Sequence, residues 1–232
     1  MKVLNLYACL GGNRLLWEDC EVTAVELDPE LARMYQERFP NDNVIVADAH
    51  QYLLDHYKEF DFVWTSPPCP SHSSVRISQK NRESFTAIYP DMKLYEEIIF
   101  LQNYFTGKFV VENVIPFYEP LIAAKKRGRH LYWTNFNLPT NVNERLEGKG
   151  LISTAKDEVN KLCKFHKIDK EFLDTYSGKQ SKVKIVRNLV DYQVGLTIFN
   201  TMRGIKESNK NNQVSIFDEL PTLASEARSE IV

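Results

Sequence analysis

Residues 2–12 read Lys2-Val3-Leu4-Asn5-Leu6-Tyr7-Ala8-Cys9-Leu10-Gly11-Gly12, a short apolar run that ends on paired glycines. Such a run is a strand feeding a tight turn. Glycines there let the backbone approach a nucleotide-like ligand at the carboxyl edge of a parallel sheet. The spacing is not Gly-x-Gly-x-x-Gly, so a dinucleotide pyrophosphate is not the natural ligand.

Outward from this stretch, strand-like and helix-like segments alternate, the pattern of a parallel α/β sheet. A helical stretch is expected to about Glu18, then strands at Glu21–Glu26, Asn43–Ala47, Phe60–Thr65, Lys108–Glu112 and His130–Asn135. Between them the pattern predicts helices over Asp28–Phe39, Ala49–Lys58, Met92–Phe105 and Tyr118–Lys126. Asp28 suits the cap of its helix and Pro29 the first helical position. Residues 70–88 are polar with no clear period, which predicts a long mobile loop. The texture changes after Leu138. Thr154–Tyr176 reads as one or two basic amphipathic helices and Leu189–Met202 as a last helix. Four parts follow: a catalytic and cofactor-binding domain over 1–137, a small recognition region over 138–186, a closing helix over 187–202 and a disordered tail over 203–232.

Composition bounds the answer. The chain has 232 residues, 43% apolar and 26% charged, enough for one domain with its own core. No apolar run approaches the ~18 residues of a membrane span, and the amino terminus is too short and strand-like for a signal peptide. Cys9, Cys20, Cys69 and Cys163 lie far apart without metal spacing. Free thiols, a reducing cytoplasm and no metal are expected. Net charge is −2, but 125–187 holds fifteen Lys or Arg against seven Asp or Glu, a net of +8. That asymmetry suits a polyanion contact as well as a solvated helical face.

Chemistry concentrates at predicted strand ends. Glu26 can meet ribose hydroxyls and Asp48 an adenine amino group. Ser66-Pro67-Pro68-Cys69-Pro70 holds a thiol on a stiff backbone, where a lowered pKa would make it a nucleophile. Glu112-Asn113-Val114 ends another strand with a carboxylate that can hold or donate a proton. Arg127 and Arg129 enter the sixth strand, on one side by alternation.

In order, these elements resemble the DNA cytosine-5 methyltransferase family. Tyr-Ala-Cys-Leu-Gly-Gly looks like its first motif, Ser-Pro-Pro-Cys like its nucleophile motif, Glu-Asn-Val like its carboxylate motif and Arg127-x-Arg129 like its paired arginines. The resemblance implies a Rossmann-like fold with S-adenosylmethionine held by Tyr7, Ala8, Leu10, Gly11, Gly12, Glu26, Leu27, Asp48 and Pro67. It implies catalysis by Cys69, Glu112 and Arg129: attack on C6 of a flipped-out cytosine, support at N3, and a hold on O2 that also orients Glu112. Double-stranded DNA would be gripped by Ser71, Ser73, Arg76, Lys80, Arg127, Lys164 and Lys167. The span between strand six and the last helix is short for the family's recognition domain.

Two alternatives stand beside this one: the same chemistry on tRNA, and a DNA-binding relative without turnover. A monomer is expected. Gln213–Leu220 is similar to short peptides that dock on the bacterial sliding clamp.

Overall fold

The computed structural model describes residues 1–144 and 157–205. Seven strands form one sheet: β1 (Lys2–Leu6), β2 (Glu21–Glu26), β3 (Asn43–Val46), β4 (Phe62–Thr65), β5 (Lys108–Val114), β6 (Lys125–Arg127) and β7 (His130–Thr134). Their order is β3-β2-β1-β4-β5-β7-β6. The first five pair in parallel, and β7 runs antiparallel to both β5 and β6. Helices on both faces explain the apolar strands. Leu4, Leu6, Val63, Phe109 and Val111 face α2 (Ala49–His56) and α4 (Lys93–Tyr104). Val3, Phe62, Trp64 and Val110 face the other way, against Trp17 and α8 (Tyr192–Met202).

The order of strand addition reverses between the parallel neighbours β1 and β4. The chain winds one way from β1 through β2 to β3, and the other way from β4 to β5. In open α/β sheets the crevice outside the strand ends at such a switch is where ligands bind.

Sequence expectation and structure diverge in four places. Residues 12–18 form turns and no helix. Arg14 donates to the Trp17 carbonyl at 2.6 Å, and Asn13 pairs with the buried Asn5 at 2.8 Å, so side chains hold the segment in another shape. Tyr118–Lys126 is also non-helical. Pro116 precedes it and Pro120 interrupts it, the Tyr118 hydroxyl meets His72 at 2.6 Å, and its end becomes β6. Within 70–88 there is a short helix α3 (Ser74–Ser78), capped by the Ser73 hydroxyl. Before α8 an extra helix appears, α7 (Lys182–Arg187).

The basic amphipathic stretch forms α5 (Glu158–His166) and α6 (Lys170–Asp174). These are not set apart from the sheet domain. Leu162, Cys163, Ile168, Leu173, Ile185 and Val186 pack with Leu10 and with Leu31 and Met34 of α1 (Pro29–Arg38) in one buried cluster. Glu158, only 5% exposed, is fixed by Arg187 in a two-pronged pair at 2.5 and 2.6 Å. The expected clamp-docking segment, Gln213–Leu220, lies outside the described residues, as does almost all of the expected tail. Among the described residues no helix is long and apolar enough to cross a membrane, and no cluster could hold a metal ion.

Candidate active site

A cavity of about 960 Å³ opens at the switch point. One half is built on β1 and β2. Past Leu6 the chain takes positive φ at Tyr7 (56°), Cys9 (48°) and Gly11 (68°), which bends the turn under the cavity. Gly11 is required there. A Cβ would lie 2.4 Å from the Phe39 ring, in a conformation side chains rarely adopt. Glu26 secures this turn, accepting from the Cys9 amide at 2.8 Å and the Asp28 amide at 3.0 Å. Burial raises its pKa against those two bonds.

Leu27, 67% exposed, offers an apolar contact beside it. Asp48 lines the next wall, capping α2 through the Gln51 amide at 3.1 Å with Lys93 at 3.5 Å. That amide bond and Lys93 hold its carboxyl below the usual range despite partial burial. These groups fit an adenosyl donor: two carboxylates with unfilled acceptor positions, an apolar platform, and a turn bent to let a ligand close. Tyr7, Glu26, Leu27, Asp48 and Pro67 line the cavity. Ala8, Leu10, Gly11 and Gly12 lie in the turn beneath without lining it.

The other half comes from β4 and β5. Pro67, Pro68, Cys69 and Pro70 follow the buried strand Phe62–Thr65 directly. Asn113, 2% exposed, donates to the Pro67 carbonyl at 2.9 Å and ties this loop to β5. Cys69 and Glu112 therefore face one cavity. The thiol is pushed up, first by burial and then by the Glu112 carboxylate. Lys184, on the opposite wall, works the other way. The lowered pKa that would make this cysteine a ready nucleophile is thus not the resting state, because burial and Glu112 outweigh Lys184.

Arg129 is placed differently from expectation. β6 and β7 pair Arg127 with His130, so Gly128 and Arg129 form a two-residue turn, with Gly128 at φ 53°. The guanidinium of Arg129 stands 3.3 Å from Glu144, half exposed and outside the cavity. His130 takes the place beside Glu112, at 3.5 Å. Arg127 points elsewhere too, donating to the carbonyls of Lys126, Leu138 and Pro139.

Of the residues expected at DNA, Ser71 is buried and accepts from the Asp91 amide at 3.0 Å, and Ser73 caps α3. Arg76 stacks over Phe85 and donates to the Thr86 carbonyl. Lys167 lies 4.8 Å over the Tyr192 ring. Lys80 and Lys164 are exposed.

Sequence reasoning missed most of the far wall. Gly178, Lys179, Gln180, Lys184, Arg187 and Asn188–Val190 close the cavity. They are anchored by Asp28, which accepts from Tyr176 at 2.6 Å and Gln180 at 3.3 Å. Burial opposes the charge of Asp28, but these bonds outweigh it and hold its carboxyl low. In sequence, Arg187-Asn188-Leu189-Val190 loosely resembles the family's closing Gly-Asn-x-Val motif, and the basic charge was visible; no local motif signals Gly178–Gln180 or Lys184.

The family model for C-5 cytosine-specific DNA methylases matches residues 1–120. An Entamoeba histolytica methyltransferase, EhMeth, is similar in structure: 13% identity, 89% of this chain and 99% of that one, TM-score 0.52. A Spodoptera frugiperda DNMT2 variant shares 24% identity over 49% of this chain and 35% of its own, TM-score 0.36. TrmN from Thermus thermophilus shares 15% over 49% and 33%, TM-score 0.33. The chain thus spans about a third of each of these last two. No curated protein sequence matches it.

Proposed function

The chain belongs to the C-5 cytosine-specific DNA methylase family, and from that premise we propose that it methylates C5 of a cytosine flipped out of duplex DNA through a covalent bond to Cys69. The fold is that of S-adenosylmethionine-dependent methyltransferases, and that cofactor supplies an electrophilic methyl group when bound. The observation that carries the proposal is the shared cavity. Cys69 and Glu112 stand at neighbouring strand ends, with Glu26 and Asp48 at the ends of β2 and β3 on the other side of β1.

C5 of cytosine is a poor nucleophile. Addition of the Cys69 thiolate to C6 makes it enamine-like. Glu112 supports N3 as charge moves onto the ring, and His130 orients Glu112 where Arg129 was expected. Once C5 is substituted, its proton leaves to a base and the C6–S bond breaks, which restores the ring and frees the thiolate. Because burial and Glu112 favour the protonated thiol, its proton must pass to water as the cytosine enters, leaving the thiolate that adds to C6. Asn113 keeps the thiol loop against β5 throughout. Lys179 and Lys184 put positive charge on the wall facing Cys69, and phosphates of the strand bearing the extruded base suit that wall.

The test is transfer of labelled methyl to duplex DNA and to tRNA by the wild type and by Cys69→Ser. Transfer to duplex DNA that vanishes in the variant, with its fold intact, supports the proposal. Full activity of the variant refutes the covalent route, and transfer to tRNA alone replaces the substrate. Cytosine replaced by 5-fluorocytosine should trap DNA on the Cys69 peptide.

A further inference from the structure

One buried acidic side chain has no part in the chemistry above. Glu97 of α4 is 1% exposed, yet it carries a carboxylate. A buried carboxylate is tolerated only with partners, and this one has three from three different elements. The Tyr7 hydroxyl donates to it at 2.5 Å, the Thr65 hydroxyl at 2.7 Å, and His50 Nδ1 lies at 3.1 Å. Tyr7 lines the cavity just past β1. Thr65 ends β4, immediately before the loop that carries Cys69. Leu6 and Thr65 are partners in the β1–β4 register, so the bond spans the switch point itself.

We propose that Glu97 is a positioning residue for methyl transfer: its carboxylate ties the donor floor at Tyr7 to the strand end that delivers Cys69, and so sets the alignment of the two halves of the cavity. This rests on the methyltransferase function proposed above. Two further features agree with it. Tyr7 is a bulky residue at φ 56°, a conformation that persists only where surroundings over-determine it, and its hydroxyl bond to Glu97 is such a constraint. The remaining ring nitrogen of His50 is in turn held by Glu96 at 3.2 Å, so the third arm of the clamp is itself anchored.

Alignment has a signature that stability lacks. Adding Cys69 to C6 and exchanging the C5 hydrogen with water uses only the β4–β5 half. Methyl transfer needs both halves in register, and small misplacements there cost roughly tenfold to a hundredfold.

The experiment compares wild type, Glu97→Gln and Thr65→Val as full chains on a duplex labelled with tritium at cytosine C5. Three quantities are read: tritium release without donor, methyl transfer at saturating S-adenosylmethionine, and donor affinity by calorimetry. The expected result is methyl transfer down roughly tenfold or more, with tritium release and donor affinity each kept within about threefold. Thr65→Val cuts one arm at nearly constant volume outside the cavity lining, and decides the matter if Glu97→Gln does not fold. Equal loss of release and transfer, loss confined to donor affinity, or unchanged transfer overturns the proposal. A wild-type chain inert in both assays overturns the methyltransferase function as well, which separates the two failures.

Discussion

Replacing Gly195 with alanine sets a local preference against a tertiary contact, and the structure decides the sign. Gly195 lies inside α8, where alanine is favoured over glycine by about 1 kcal/mol. Its added Cβ, however, would sit 2.2 Å from the Asn13 carbonyl oxygen, 2.7 Å from its Cα and 2.8 Å from its carbonyl carbon. All three are backbone atoms and cannot rotate aside. The helix must withdraw by roughly 1 Å to restore van der Waals contact. Such overpacking costs ~1–3 kcal/mol. Withdrawal also stretches the Trp17 indole bond to the Gly195 carbonyl, now 3.1 Å, worth about 1 kcal/mol. Set against the helical gain, the net is a destabilisation of ~1–3 kcal/mol, or a fall in melting temperature of about 3–10 °C for a chain of this size.

Asn13 follows Gly11 and Gly12 directly, so the displacement reaches the donor turn. Urea unfolding should show a lower midpoint with an unchanged slope, and calorimetry a weaker affinity for S-adenosylmethionine. A midpoint at or above wild type would refute the close approach of α8 to the first turn, and with it the account of why this helix closes the domain.

Two predictions concern charge. Because burial and then Glu112 raise the Cys69 thiol while Lys184 lowers it, Glu112→Gln should speed iodoacetamide labelling of the Cys69 peptide near pH 8 and Lys184→Gln should slow it; peptide mass spectrometry reads both, and unchanged rates would separate the three groups. His50 is raised, chiefly by its bond to Glu97 against partial desolvation. Its contribution to stability is therefore complete below the unfolded value near ~6.5 and fades as pH rises through the higher folded value. Denaturation of wild type and His50→Gln should differ more at about pH 5.5 than at about pH 9, and a constant gap would contradict the charged pair.

Much of this molecule is written locally. Apolar runs such as Phe62–Thr65 and Phe109–Val111 end on Pro-Cys and Glu-Asn, so strand identity and the candidate nucleophile and acid are both legible from neighbours in sequence. Asp28 and Asp48 are legible as helix caps for the same reason, since a cap acts within three residues. Arg129 was misplaced because alternation along a strand says nothing of where a hairpin turns. The pairing of Arg127 with His130 puts Arg129 at the tip and His130 beside Glu112.

The far wall before Arg187 was invisible for a related reason. Tyr176 and Gln180 reach Asp28 across about 150 positions of chain, and no periodicity or short motif encodes such a contact. It arises because Leu162, Leu173 and Ile185 can exclude water only by packing against Leu10, Leu31 and Met34. Glu97 reads in sequence as one acidic residue of an ordinary helix. Only the folding of α4 beneath the sheet, which takes that carboxylate out of water and surrounds it with Tyr7, Thr65 and His50, turns it into a clamp. Local order thus determined which residues could do chemistry. Burial and long-range pairing decided which of them meet.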